Sequence, residues 1–172
     1  MRISALRSAA ACAIMTACLT VSAYAADIIV IPEKIAFGPD VMVRDNVRDE
    51  CRLEEKIAEF IQSYGKKKKG YTLVTEAPAE GEYHVLTAEI ISAQGAGGGA
   101  WSGPKSIKVK GELTDAAGEV VGSFTAGRYS GGGVFGGYKG TCSILGRCTK
   151  ALGKDIAAWL DNPRMNSMLG DH

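Results

Sequence analysis

Apolar and charged positions alternate without a break from Ser106 to Thr114. Ile107, Val109, Gly111 and Leu113 point one way and Lys108, Lys110 and Glu112 the other, which predicts a half-buried strand. Glu119 to Arg128 repeats the period, with Val120, Gly122, Phe124 and Ala126 on one face. Between the two runs, Asp115-Ala116-Ala117-Gly118 places Asp first and Gly fourth, as a type I turn requires. Upstream, Tyr83 to Ala93 reads as a longer strand, with Leu86, Ala88 and Ile90 on one face and Val85, Thr87, Glu89 and Ile91 on the other. Residues 83–128 are therefore expected to form a three-strand antiparallel meander.

The period changes on either side. Asn46 to Tyr64 predicts a helix, capped by Asp45 or Asn46, with Asp49, Glu50, Glu54 and Glu55 near its positive end. Val47, Cys51, Glu54, Ile57, Ala58 and Ile61 fall on one stripe, and all but Glu54 suit burial. Gly65 stops this helix, and the run Lys66 to Lys69 sits where cations favour a helix end. A second helix starts near Thr141 or Ser143 and reaches about Leu160, with Leu145, Cys148, Leu152, Ile156 and Trp159 as its apolar face. Asn162-Pro163 ends it, and residues 163–172 are expected to be a frayed tail. Two short apolar runs, Asp27 to Ile31 and Tyr71 to Thr75, add a first and a second strand. The order is strand, helix, strand, meander, helix. It predicts an α+β fold: a mixed, mostly antiparallel sheet with two helices packed on one face, forming a single domain over residues 26–162.

The N-terminus sets the compartment. Arg2 and Arg7 precede an apolar stretch from Ala9 to Val21, and Ala23-Tyr24-Ala25 is a small-x-small cleavage site. Residues 1–25 read as a secretory signal peptide, with the mature chain beginning near Ala26. The expected location is the periplasm or outside the cell. Met15-Thr16-Ala17-Cys18 resembles a bacterial lipobox, although a lipobox normally has Leu or Val where Met15 stands. A lipid on Cys18, giving an outer-membrane lipoprotein, is the alternative to soluble processing. Cleavage removes two arginines and no acids, so the formal charge of +1 becomes about −1. Such a balance steers the protein to neither nucleic acid nor anionic lipid. No later stretch is apolar for long enough to span a membrane.

Of the five cysteines, Cys12 and Cys18 lie in the signal, leaving Cys51, Cys142 and Cys148. One disulfide and one thiol is the simplest count in an oxidising compartment. In an uninterrupted helix Cys142 and Cys148 would stand about 9 Å apart, too far to bond. A bond between them needs Cys142 in the loop, ahead of a cap at Ser143. Cys142–Cys148 is the first expectation on that condition, with Cys51 as the alternative partner of either. The spacing is not that of a redox pair, so the expected role is structural.

Much of the second half resembles a bacterial family of small secreted or lipid-anchored envelope proteins, domain-of-unknown-function family 4410. The likeness runs from Glu82-Tyr83-His84-Val85-Leu86-Thr87-Ala88-Glu89-Ile90 through the 95–103 loop and Lys110-Gly111-Glu112-Leu113-Thr114-Asp115-Ala116-Ala117-Gly118-Glu119-Val120-Val121. It ends with the glycines before Phe135 and the helix reaching Ile156-Ala157-Ala158-Trp159-Leu160. The resemblance implies a periplasmic or outer-membrane-associated domain, related in shape to small α/β modules of envelope assembly proteins. It implies no catalytic residue.

Candidate chemistry is sparse. The run from Gly131 to Thr141 precedes a helix, as a phosphate loop does, but Tyr138-Lys139-Gly140-Thr141 misplaces the lysine and the compartment lacks ATP. No nucleotide and no cofactor is expected. His84 reads as a core-edge side chain, and three cysteines with one useful histidine give no zinc spacing. Glu54, Glu89 and Glu112 are the carboxylates of interest, without a pattern that pairs them. Trp101, Phe135 and Tyr138 lie in glycine-rich loops outside the periodic core, which makes them the candidate contact surface. The function expected is that of a non-enzymatic envelope protein acting through protein contacts, an accessory of an envelope assembly. The alternative is a periplasmic inhibitor or immunity protein that blocks a hydrolase.

Overall fold

The computed structural model describes residues 27–95, 105–131 and 139–171. The chain runs β1 (Asp27–Val30), α1 (Asp45–Cys51), α2 (Leu53–Gly65), β2 (Tyr71–Val74), β3 (His84–Gln94), β4 (Lys105–Thr114), β5 (Val120–Ser130), α3 (Thr141–Trp159) and β6 (Ser167–Gly170). The strands form one six-stranded sheet in the order β2-β1-β3-β4-β5-β6. The long ladders β3–β4 and β4–β5 are antiparallel and carry most of the pairing. The joins β1–β2, β1–β3 and β5–β6 are short and parallel. Parallel neighbours need crossover connections; α1 and α2 supply one between β1 and β2, and α3 supplies one between β5 and β6. The helices cover one face, giving the α+β architecture that the pattern predicts.

The meander follows its sequence closely. Asp115 accepts from Gly118 N–H at 3.0 Å through its carbonyl, and through Oδ1 from Ala117 and Glu119 N–H, each at 2.9 Å. Gly118 has φ +83°, which only glycine adopts without strain. On β4, Ile107, Val109 and Leu113 are buried and Lys108, Lys110 and Glu112 are exposed. On β3 the register shifts between Ile90 and Ser92, so burial passes from Leu86 and Ile90 to Ala93, out of the simple alternation.

Three expectations are corrected. The first helix is two helices, broken at Arg52, whose φ of 49° and ψ of 48° are left-handed. An unbroken helix puts Glu54 on the buried stripe and turns Leu53 to water. The break resets the phase, and Leu53 is 1% exposed. Lys56 Nζ donates to the Cys51 carbonyl at 2.6 Å, satisfying an acceptor at the end of α1.

The disulfide joins Cys51 to Cys142, and Cys148 is a buried thiol. Helix α3 already begins at Thr141. Cys142 and Cys148 therefore lie in one continuous helix, at a separation no disulfide spans. Cys51, at the end of α1, faces the start of α3 instead.

The tail is ordered into β6, which pairs with β5 from Phe124 to Gly127. Its hold is non-local. Arg128 bridges Asp155 on α3 and Asp171 beyond β6, at 2.7 and 2.9 Å. Trp159 Nε1 donates to Ser167 Oγ at 3.1 Å, and Ser123 N–H donates to the Arg164 carbonyl at 3.1 Å.

The core lies between sheet and helices. Phe124 and Trp159 meet edge to face with ring centroids 4.8 Å apart, Phe124 lying over Gly111 and Trp159 over Gly122. Tyr71 is buried, and its hydroxyl donates to the Ala157 carbonyl at 2.6 Å. Burial, with Asp161 adding to it, pushes this phenol well above its ordinary value. The folded state thus holds the proton more tightly than the unfolded chain does. Its contribution is complete below about pH 10 and declines as pH rises beyond that. Tyr71→Phe should cost about 1–2 kcal/mol in urea unfolding near neutral pH. An unchanged midpoint would mean that the hydrogen bond carries no net stability.

Candidate contact surface

Among the described residues, all three helices lie on one side of the sheet. The other side presents three cross-strand rows, defined by register. Val74, Val30, Val85, Thr114 and Val120 stand side by side on β2, β1, β3, β4 and β5; the register shift between Leu113 and Thr114 takes Val120 off the face of Gly122, Phe124 and Ala126 where its alternation places it. This row is β-branched from end to end, and none of its members is buried. Next comes Thr87–Glu112–Ser123, continued by Asn166, whose N–H donates to Ser123 Oγ at 2.8 Å. The third row is Glu89–Lys110–Thr125–Met168.

A shallow trough of about 480 Å³ separates the second and third rows, floored by Ala88, Gly111 and Phe124. Lys110 Nζ lies 2.8 Å from Glu89 Oε1. The hydrogen bond and charge of Glu89, with Glu112 adding to them, hold the Lys110 ammonium above its ordinary value. The trough brings Glu89 and Glu112 together around one lysine on an open surface. Large apolar side chains on this face are unusually bare: Val120 is 41% exposed, Met168 59% and Tyr129 65%.

The other residues singled out by sequence fall as follows. Glu54 is an anchor: its Oε1 accepts from Phe37 N–H at 3.3 Å, and its carbonyl accepts from Ile35 N–H at 3.1 Å. Arg48 stacks over the Phe37 ring at 4.5 Å. These contacts fix the segment that bridges Phe37 to Ile90 on β3. In the lysine run, Lys68 pairs with Asp161 and Lys67 lies over the Tyr64 ring, both beside the end of α2. His84 is half-buried opposite Ile29 and, with Asp27, Tyr71 and Asp161, lines a hollow of about 230 Å³ at the sheet's far end. Among the described residues no group of three His, Cys, Asp or Glu is placed to hold a metal ion.

Trp101, Phe135 and Tyr138 lie outside the described residues, as do residues 1–26 with Cys18. The stems of both glycine-rich connections are described, and they share one end of the sheet. Gln94 pairs with Ser106, and Lys105 with Ser130. Gly95 sits against Thr141, Val47 and Leu145, close enough that a Cβ there would clash with Thr141. The Cys51–Cys142 bond ties α1 to α3 at this end. Lys105, missed by sequence reasoning, is fully buried here. Burial first, and the nearby Arg44 second, pull its ammonium below the ordinary value. The signal was available, since Lys105 stands in phase with Ile107 and Val109. Burial also pushes the Cys148 thiol up, so it is a poor nucleophile at neutral pH.

These features define a class: an α+β domain with one helix-covered sheet face and, among the described residues, one face without a covering layer. The same fold occurs in a solved structure of an uncharacterized protein, at 13% identity and a TM-score of 0.50, covering 78% of this chain and 92% of that one. Weaker similarity, at a TM-score of 0.47 and 14% identity, links 74% of this chain to 86% of the PelC chain, solved as a dodecamer from Paraburkholderia phytofirmans. A Xanthomonas campestris protein of domain-of-unknown-function family 330 gives a TM-score of 0.46 at 10% identity, over 81% of this chain and 88% of its own. No family model and no curated protein matches the chain. Among the described residues no helix is long and apolar enough to cross a membrane.

Proposed function

We propose that this protein is a non-enzymatic component of the cell envelope, periplasmic or secreted, that works by binding protein through the helix-free face of its sheet. The observation that carries this reading is the β-branched row from Val74 to Val120, which crosses five strands in register without a covering layer among the described residues. Packed sheets bury such rows, and a bare one favours association. The disulfide supports a compartment where thiols oxidise. The Glu89–Lys110–Glu112 group supports contact rather than catalysis, because it lies in a shallow trough and its lysine is already paired.

The test is site-specific photo-crosslinking in intact cells. A photoreactive residue at Val120 should give one discrete protein adduct, and one at the exposed Lys150 on α3 should give none. Equal yields from both positions would refute the reading. A hydrolase in the Val120 adduct would favour the inhibitor alternative over an assembly accessory. The intact mass of the same protein distinguishes a chain starting at Ala26 from one lipidated on Cys18.

A further inference from the structure

We infer that the helix-free face is covered by the same face of a second copy, in a two-fold dimer whose axis crosses the strands along the trough. The inference rests on the reading of that face as a contact surface and names its occupant. The trough is flanked by Thr87–Glu112–Ser123 on one side and Glu89–Lys110–Thr125 on the other. A two-fold axis along it keeps β4 over β4 and β3 over β3, reverses the strand direction and exchanges the two rows. Lys110 then faces the second copy's Glu112, and Glu112 faces the second copy's Lys110. Thr125 meets Ser123, and Glu89, already bonded to its own Lys110, meets Thr87. Every charge nearest the axis thus gains an opposite charge or a hydroxyl, and each does so twice. An axis parallel to the strands and over β4 would set Lys110 over Lys110 instead, opposing like charges.

The rest of the face agrees. Facing sheets pack about 10 Å apart. One step from the axis pairs, the β-branched row meets the row of Ser92, Lys108 and Gly127. Lys108 lays its aliphatic stem beside Gly127, which is buried under that stem and the Asp171 carbonyl, so Val85, Thr114 and Val120 meet largely uncharged surface and leave water. From strand lengths and spacing the face presents roughly 650 Å² per copy. Two copies bury roughly 1,300 Å², inside the range of stable protein interfaces.

The test is a reciprocal charge swap on the mature chain with its disulfide intact. Light scattering and sedimentation should show the wild type as a dimer at about 100 μM. K110E and E112K each oppose like charges twice, and each should weaken the dimer by at least about tenfold while circular dichroism stays native. An equimolar mixture of the two variants restores both attractive pairs, and native mass spectrometry should show the mixed dimer. A monomeric wild type, single variants that dimerise as well as the wild type, or a mixture that stays monomeric would each overturn the inference. A monomeric wild type that still gives a Val120 adduct with another protein would overturn this inference alone. A dimer broken and restored by the swaps, without any foreign adduct in cells, would confine the contact to the second copy.

Discussion

Replacing Cys142 with serine should lower stability by about 3–4 kcal/mol, because the bond it removes closes a long loop. The linked residues are 91 apart in sequence, so the oxidised unfolded chain loses a large share of its freedom. For a chain of this size that corresponds to a fall in Tm of roughly 10 °C. Cys148→Ala should cost only about 1 kcal/mol, for a small buried group removed from a site that α3 already holds in place. The contrast between the variants reports the pairing. A Cys142–Cys148 bond would make them equally damaging; a Cys51–Cys142 bond makes only the first lose the crosslink, while Cys148→Ala keeps it and stays sensitive to reducing agent. Reducing agent should bring the wild type down to Cys142→Ser and leave Cys142→Ser itself unchanged. The loss should be concentrated at α1, a seven-residue helix too short to be stable alone and anchored to α3 by this bond. Hydrogen exchange in Cys142→Ser should therefore rise first over Asp45–Cys51.

Most of the fold was legible because its elements are long and periodic. Nine residues of alternation, Ser106 to Thr114, define most of β4, and five apolar positions at helical spacing define α3. The departures share one cause: they are decided by contacts far apart in sequence. Strand β6 has four residues and no strong alternation. It forms because Arg128, Trp159 and Ser123 each supply a partner from elsewhere, and a local pattern does not encode that. The break at Arg52 is a non-glycine residue in the left-handed region, which composition rarely announces. Its trace in the sequence was a misfit, Glu54 on the buried stripe and Leu53 off it. The disulfide followed from the helix start at Thr141, a matter of two residues in a boundary that sequence places only loosely.

The contact surface was less legible for a related reason. Alternation says that Thr87, Lys110 and Glu112 face away from the core, and it said so here. It does not say which residue of one strand stands beside which of the next. The row Val74–Val30–Val85–Thr114–Val120 depends on two parallel joins between strands that are distant in sequence. The sequence instead drew attention to aromatic residues in glycine-rich loops, whose described stems meet beside the disulfide. The two pointers lie at different places on the domain: the loop stems at one end of the sheet, the trough across its bare face.

Gly153→Leu should cost about 3 kcal/mol or more, at the upper end for overpacking, because the obstacle is backbone rather than a mobile side chain. A Cβ at Gly153 points into α2. It would collide with the Cβ of Phe60 and stand 2.9 Å from the Phe60 carbonyl carbon and 3.0 Å from Ile61 N. A neighbouring rotamer cannot relieve that, so α2 and α3 must move apart. Ile57, Ile61, Leu152 and Ile156 are buried around this contact and would lose packing together. Gly153→Ala separates the contributions. Alanine improves helix propensity by about 1 kcal/mol, which offsets part of the clash, and the expected net loss is about 1–2 kcal/mol. An alanine variant more stable than the wild type would show that the helices yield at little cost. The same argument explains why a glycine stands in the interior of a 19-residue helix. Its propensity cost is tolerated because it lets α3 approach α2 closely enough to close the core behind the sheet, leaving the opposite face free for contact.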